Sequence, residues 1–412
     1  MKTIIVLGGG AAGMVAAIAA AQQAKDRARV LLLEKNPRIG KKLLATGNGR
    51  CNLDHTPVGT EDYFTSDVGR VEQMLQAMKG QDPLHWLEEH GLLCRADEAG
   101  RVYPYSNQAS DVLNLLLYWL ETCKVQVRTE CTVTGLEKQG DSYRVELESG
   151  EVLSGEKVIC ALGGSASPQF GSDGAGLALV RPFGCKSTKL YPCLVPLKCE
   201  KEQVAGLSGI RVKADATLCD GDTTVHRESG EIQFTDYGLS GIAVMQLSGH
   251  LGQQRRLRHP EIRLDLFPEW EEEKLAHWMA KRSKSLPGAD METFMMGLLH
   301  RRVGCAVWER LDMGSVKRSA SQLTQAEWLQ LAHGLKNWQF TGLEDTGWKN
   351  AQTTGGGVQL SRLEPGSFEV SAHPGLYVVG ETTDCAGSCG GFNLHWAFGS
   401  GILAGIHAGS SL

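Results

Sequence analysis

The chain has 412 residues, of which 42% are hydrophobic and 22% charged, and its formal net charge is -5. No block of like charges is long enough for a nucleic-acid-binding arm or an anionic-membrane patch, so the expected partner is a small molecule, with neither nucleic acid nor membrane insertion. The length implies two or three domains, and 50 glycines, above the usual share of about 7%, suit tight turns around a ligand.

In chain order, Ile4 to Leu7 is an apolar strand, Gly8 to Gly13 a glycine turn, Met14 to Ala24 an alanine-rich helix and Val30 to Leu33 a second strand, the start of a βαβ unit. Lys2 ahead of the first run imitates a secretory signal, but Gly8, Gly9 and Gly10 interrupt it. Gly40 to Asn52, with three glycines and two asparagines, reads as a donor-rich loop rather than a helix. Helical periodicity marks Val71 to His90 and Ser110 to Cys123, the second with Leu113, Leu116, Leu117 and Leu120 on one face. Strand-like alternation runs from Val125 to Leu153, broken at Gly140-Asp141 and Ser149-Gly150, and another strand covers Val158 to Leu162 before Gly163-Gly164.

Beyond Gly184 short β-like runs continue to about Asp265, and from Pro268 to about Asn337 the pattern turns helical. From Thr353 glycine returns, followed by a strand from Leu376 to Val379 and a terminal helix from Asn393 to Ala408. The expected α/β architecture is a discontinuous Rossmann-type domain, 1–187 with 345–412, interrupted by a β-rich domain at 188–266 and a helical cap at 267–344. No stretch approaches the roughly 20 apolar residues of a bilayer span, and a cytoplasmic location is expected.

Gly8-Gly9-Gly10-Ala11-Ala12-Gly13 has GxGxxG spacing between a strand and a helix. The first glycine serves the turn, the second lets backbone N–H groups approach a pyrophosphate, and the third permits close packing. Glu34 closes the next strand about 20 residues on, where a carboxylate accepts from the adenosine ribose. These residues do not separate NAD from FAD. Leu376-Tyr377-Val378-Val379-Gly380-Glu381, an apolar strand closed by glycine and an acid, resembles the second fingerprint of the glutathione-reductase-like FAD proteins, whose acid holds a ribityl chain that NAD lacks. Thr46, Asn48, Arg50 and Asn52 suit a loop along the pyrophosphate and flavin. Twelve cysteines include no CxxC pair and no Cys/His metal spacing, so reduced thiols and no metal are expected; Cys385 and Cys389, at CxxxC spacing, read either as packed thiols or as a redox pair.

Four blocks resemble the BaiN- and YhiN-like flavoproteins, which include the aminoacetone oxidase family. They are GGGAAG at 8–13 with Glu34, GKKLLATGNGRCN at 40–52, FTDYGLSG at 234–241, and TTGGGV at 353–358 with GETTDCAGSCGGFNLHWAFGSG at 380–401. The resemblance implies FAD contacts from Ala12, Glu34, Arg50, Asn52, the Val133 backbone, Glu381, Asn393 and Leu394. The motifs extend this set to Gly8, Gly10, Ala11, Gly13, Lys35, Lys42, Thr46, Gly47, Asn48, Cys51, Gly163, Gly380 and Asp384. Asn393 and Leu394 open the terminal helix, whose N-terminus would stabilise negative charge at the flavin N1/O2 edge. Where the family tends to carry Asp-Gly-Tyr before this helix, the chain has Asp384-Cys385-Ala386-Gly387-Ser388-Cys389.

Tyr237, His395 and Tyr191 are the proton-donor candidates, each also readable as an ordinary structural side chain. No second GxGxxG follows a strand, so NAD(P)H is expected as a transient co-substrate. The resemblance implies an NAD(P)H-dependent reductase of 3-oxo bile-acid or steroid alkenes, with hydride passing by way of FAD and an apolar substrate. The alternatives are an aminoacetone-type amine oxidase using oxygen and a flavin-based redox sensor.

Overall fold

Buried hydrophobic strands dictate the centre of the first unit. Ile4, Ile5, Val6 and Leu7 are all 0% exposed, as a parallel strand covered on both faces requires. In the computed structural model, which describes residues 2–254 and 256–412, Lys2–Leu7 pairs in parallel with Ala28–Leu33 on one side and Lys157–Cys160 on the other. Gln126–Arg128 and Leu376–Val378 complete the five-stranded parallel sheet at its two edges. The first and last segments of the chain therefore share one sheet.

Glycine spacing sets the helix layer above that sheet. Helix Ala11–Ala24 lies against helix Phe392–Ser410, and a Cβ added to Gly401 or Gly405 would overlap the carbonyl oxygens of Ala12 and Ala16. One on Gly409 would lie 2.6 Å from the Ala20 carbonyl oxygen. Glycine at every fourth position facing alanine at every fourth position lets the two backbones touch, which fixes how both helices lie on the sheet. A three-stranded antiparallel sheet, Val133–Gln139, Ser142–Leu147 and Val152–Gly155, completes the connection between Gln126–Arg128 and Lys157–Cys160.

Two local expectations need correction. The Val71 to His90 helix is two helices, Val68–Lys79 and Pro83–Glu89, because Pro83 starts a new helix whose N-cap, Asp82, accepts from the His85 N–H at 2.8 Å. The loop at Gly40 to Asn52 begins with one helical turn, Lys41–Ala45, made of good helix formers, before Gly47 and Asn48 turn left-handed at φ 56°.

The chain divides into two units, the first running to Cys193 and resuming at Trp348, the second Leu194–Gly347. The stretches expected as separate insertions at 188–266 and 267–344 fall mostly in that second unit. Its seven-stranded antiparallel sheet has the order Trp338–Phe340, Pro260–Asp265, Arg211–Asp220, Thr223–Phe234, Gly238–Ser240, Leu197–Lys198 and Glu344–Asp345. Trp338–Phe340 follows the helices in sequence yet pairs with Pro260–Asp265, which precedes them. Leu275, Met279, Phe294 and Trp308 from the helices share one core with Ile232, Phe234 and Ile262 from the sheet. Helix Ile242–Gln253 lies inside what reads as a run of strands. Among the described residues no helix is long and apolar enough to cross a membrane.

Candidate flavin groove and active site

The glycine turn shows three different environments. Gly8 holds φ +100° and donates its N–H to the Leu33 carbonyl at 2.8 Å, while a Cβ on Gly13 would overlap the Gly8 carbonyl oxygen. A Cβ on Gly10 would meet nothing within 4 Å. Gly8 and Gly13 thus serve backbone geometry, and Gly10, which caps the 14-residue helix Ala11–Ala24, lines an open groove. The helix start offers its N–H groups and partial positive charge there.

Glu34 ends the second strand at the rim of the same groove. Its Oε2 accepts from the Gly9 N–H at 2.8 Å, and its Oε1 from the Asn36 N–H at 2.8 Å and side-chain amide at 2.7 Å. A carboxylate has about four acceptor sites, so a ribose hydroxyl finds one open and competes with the Asn36 amide for another. Removing Glu34 as Glu34→Ala is expected to cost about 1–3 kcal/mol of FAD affinity, a loss of roughly 5–150-fold in Kd, together with some apoprotein stability as the Gly9 and Asn36 N–H groups lose their acceptor. Equilibrium titration by flavin fluorescence checks this.

The far end of the chain supplies the opposite wall. Glu381 lies in the short helical turn Gly380–Thr382 beyond the strand Leu376–Val378, and its Oε2 accepts from Lys42 Nζ at 2.6 Å. Its Oε1 accepts from the Thr354 N–H at 3.0 Å and hydroxyl at 2.7 Å. Thr354 Oγ1 in turn accepts from the backbone N–H groups of Ser165 at 2.8 Å and Ala166 at 3.0 Å. Glu381 is thereby held in one orientation with a cation beside it. Thr354 was missed as a site residue; the TTGGGV block that contains it carried the signal.

Helix Phe392–Ser410 brings Asn393, Leu394 and Trp396 to the groove. The Asn393 side chain exchanges two hydrogen bonds with the Gly387 backbone, at 2.9 and 2.8 Å, pinning the preceding loop to the helix start. Trp396 is 1% exposed and donates from Nε1 to the Thr383 hydroxyl at 2.8 Å. Cys385 lines the groove as a free thiol, pushed well up by burial and then by the nearby Asp384, which disfavours a reactive thiolate. Among the described residues all twelve cysteines are free, and Cys385 forms no disulfide with Cys389.

Of the expected cofactor residues, Gly8, Gly10, Ala11, Ala12, Glu34, Lys35, Lys42, Thr46, Val133, Gly163, Gly380, Glu381, Asn393 and Leu394 line this groove. Gly13, Gly47, Asn48, Arg50, Cys51, Asn52 and Asp384 lie outside its lining. The Arg50 guanidinium stacks over the Tyr103 ring at 4.8 Å. Cys51 is fully buried, its thiol pushed up to about 12 by burial despite the Thr46 hydrogen bond. Asp384, buried, accepts from the Ser66 hydroxyl and N–H and so anchors its loop.

None of the three proton-donor candidates is in the lining. His395, 7% exposed, sits between Leu394 and Trp396 with Nδ1 2.8 Å from Oδ1 of Asp54, itself 5% exposed. Tyr191 is buried in the strand Tyr191–Cys193, paired with Thr353–Gly355, where its ring covers Gly355. Tyr237 belongs to the second unit and is half-buried, its N–H donating to the Thr235 hydroxyl at 3.4 Å.

The groove, with about 1380 Å³ of unfilled space including its open mouth, joins an acid for a ribose, an open glycine turn at a helix start and a second acid beside a lysine. Those donors and acceptors fit FAD. Fold and groove define a flavoprotein of the FAD-dependent oxidoreductase class, on a Rossmann-type sheet.

The chain belongs to the family described as HI0933-like protein Rossmann domain, which it matches over residues 2–407. It is 35% identical over 409 residues to a 3-dehydro-bile acid delta(4,6)-reductase of Clostridium scindens, covering 98% of each chain. It is 27% identical over 401 residues to a ribosomal RNA dihydrouridine synthase of Escherichia coli K12, covering 96% of this chain and 95% of the other. Among solved structures, a 3-ketosteroid delta1-dehydrogenase from Sterolibacterium denitrificans shares the fold at TM-score 0.53 and 11% identity, with full coverage of both chains.

Proposed function

We propose that this protein is an NAD(P)H-dependent FAD reductase of carbon–carbon double bonds conjugated to a carbonyl, acting on 3-oxo steroids of the bile-acid type. The observation that carries the reading is the end-to-end likeness, at 35% identity, to a 3-dehydro-bile acid delta(4,6)-reductase. When bound, the flavin supplies hydride to an electron-poor alkene carbon. The chain's own part is positional and electrostatic: Glu34 holds the adenosine ribose, the Gly10 to Ala12 backbone meets the pyrophosphate, and Lys42 with Glu381 orients the ribityl chain.

The neighbouring carbon then needs a proton, and we propose His395 as its source: it lies outside the groove lining but between two residues, Leu394 and Trp396, that are in it. Asp54 tethers its Nδ1, so Nε2 is the nitrogen left to exchange a proton. His395→Gln is expected to slow substrate-dependent flavin reoxidation by roughly 10²–10⁴-fold while leaving reduction by nicotinamide unchanged. Equal slowing of both half-reactions would remove His395 from this role.

A second reading is favoured by the 27% likeness to a ribosomal RNA dihydrouridine synthase, since uracil also presents an alkene conjugated to a carbonyl. The net charge of -5 supports the smaller substrate, because RNA binding draws on basic surface. Anaerobic stopped-flow tests both. Flavin bleached by NADH or NADPH should be rapidly reoxidised by a 3-oxo-4,6-diene steroid; reoxidation by uridine-containing RNA alone selects the second reading. Bleaching by aminoacetone, with recovery only on admitting oxygen, selects an amine oxidase.

A further inference from the structure

In the second unit, the strand Thr223–Phe234 alternates between covered and open positions. His226, Glu228, Gly230, Ile232 and Phe234 share the covered face, and Arg227, Ser229 and Glu231 the open one. Helix Ile242–Gln253 lies over that covered face, with the Ala243 Cβ 3.7 Å from where a Gly230 Cβ would stand. Ala243, Leu247 and His250 recur at i, i+4 and i+7, so His250 continues the stripe by which the helix meets the sheet. The interface begins apolar at Ile232 and Phe234, both 0% exposed, and ends in two imidazoles and a carboxylate.

Those three groups converge. His226 Nε2 lies 3.0 Å from Glu228 Oε1, and the rings of His226 and His250 face each other with centroids 3.7 Å apart and planes 24° from parallel. One ligand atom from each residue falls within 4.8 Å of the others. An ordinary His226–Glu228 pair on one strand does not require a second imidazole on the facing helix.

We infer that His226, Glu228 and His250 form a binding site for one divalent transition-metal ion of the zinc class, clamping helix Ile242–Gln253 to the sheet. Two imidazoles and one carboxylate are a donor set such ions accept, at about 2.0–2.2 Å from the metal, with a fourth position left to water. Sequence spacing gives no hint of the site, because His226 and Glu228 lie on a strand and His250 on a separate helix.

The test uses the full-length flavin-loaded protein, stripped with chelator, exposed to zinc ions, passed over a desalting column and assayed for metal by mass spectrometry. The wild type is expected to retain one zinc per chain more than His226→Asn, Glu228→Gln or His250→Asn. Arg227→Gln, on the open face of the same strand, should retain what the wild type retains. Far-UV circular dichroism and a thermal melt report that each variant is folded; if His250→Asn is unfolded, the comparison rests on His226→Asn and Glu228→Gln. Equal zinc in the wild type and these variants, whether none or an amount held by the thiols, overturns the site.

Discussion

Gly13→Val is expected to give a protein that purifies colourless, whereas Gly10→Ala folds normally and only binds flavin more weakly. The two substitutions separate the two uses of the glycine turn. A side chain at Gly13 would overlap the Gly8 carbonyl oxygen, and backbone cannot yield as a flexible side chain can. The strain should exceed the ~3 kcal/mol upper range of ordinary overpacking, so more than roughly 100-fold in FAD affinity is lost along with some stability. At Gly10 the protein leaves nothing within 4 Å, and φ of -81° suits alanine. Its methyl group would stand where the pyrophosphate approaches, weakening FAD by roughly tenfold at an unchanged apoprotein melting temperature. Flavin content and thermal melts of both variants measure this. Colour retained in Gly13→Val would mean that close packing of Gly13 on Gly8 does not set the shape of the cofactor's turn.

Gly405→Leu has the second largest expected effect. It places a side chain against the Ala16 carbonyl oxygen, where helix Phe392–Ser410 lies on helix Ala11–Ala24. Forcing those helices apart should cost ~3 kcal/mol or more, a fall of about 6–12 °C in melting temperature. It should also release flavin, because both helix starts reach the groove. Gly366→Ala, whose added Cβ meets nothing within 4 Å, is the control and should stay within about 0.5 kcal/mol of the wild type.

The parts of the fold visible in the sequence were those written in local pattern. Parallel strands buried on both faces are continuous apolar runs, so Ile4 to Leu7 and Leu376 to Val378 stand out, and the residue after each marks a groove wall. Long-range closure is another matter. That Trp338–Phe340 returns to Pro260–Asp265, and so joins helices and sheet into one unit, is a pairing across about 75 residues that no periodicity records. Helix Ile242–Gln253 begins with the apolar run Ile242 to Met245 directly after Gly241 and a strand-like stretch, so its start reads as one more strand.

The site divides in the same way. Glu34 and Glu381 lie just beyond strand ends, where the fold gives a side chain its direction. Within Gly40 to Asn52 the residue types promised donors, yet Lys42 and Thr46 face the groove while Arg50 stacks on Tyr103 and Cys51 turns into the core. Local turn geometry, with Gly47, Asn48 and Cys51 all at positive φ, decides which way each points.

If both ends of the chain hold one dinucleotide flavin, heat extraction of the purified protein followed by chromatography of the released chromophore shows it directly. One FAD per chain is predicted. Recovery of FMN, which has no adenosine for Glu34 to hold, or of no flavin after incubation with excess FAD, would contradict it.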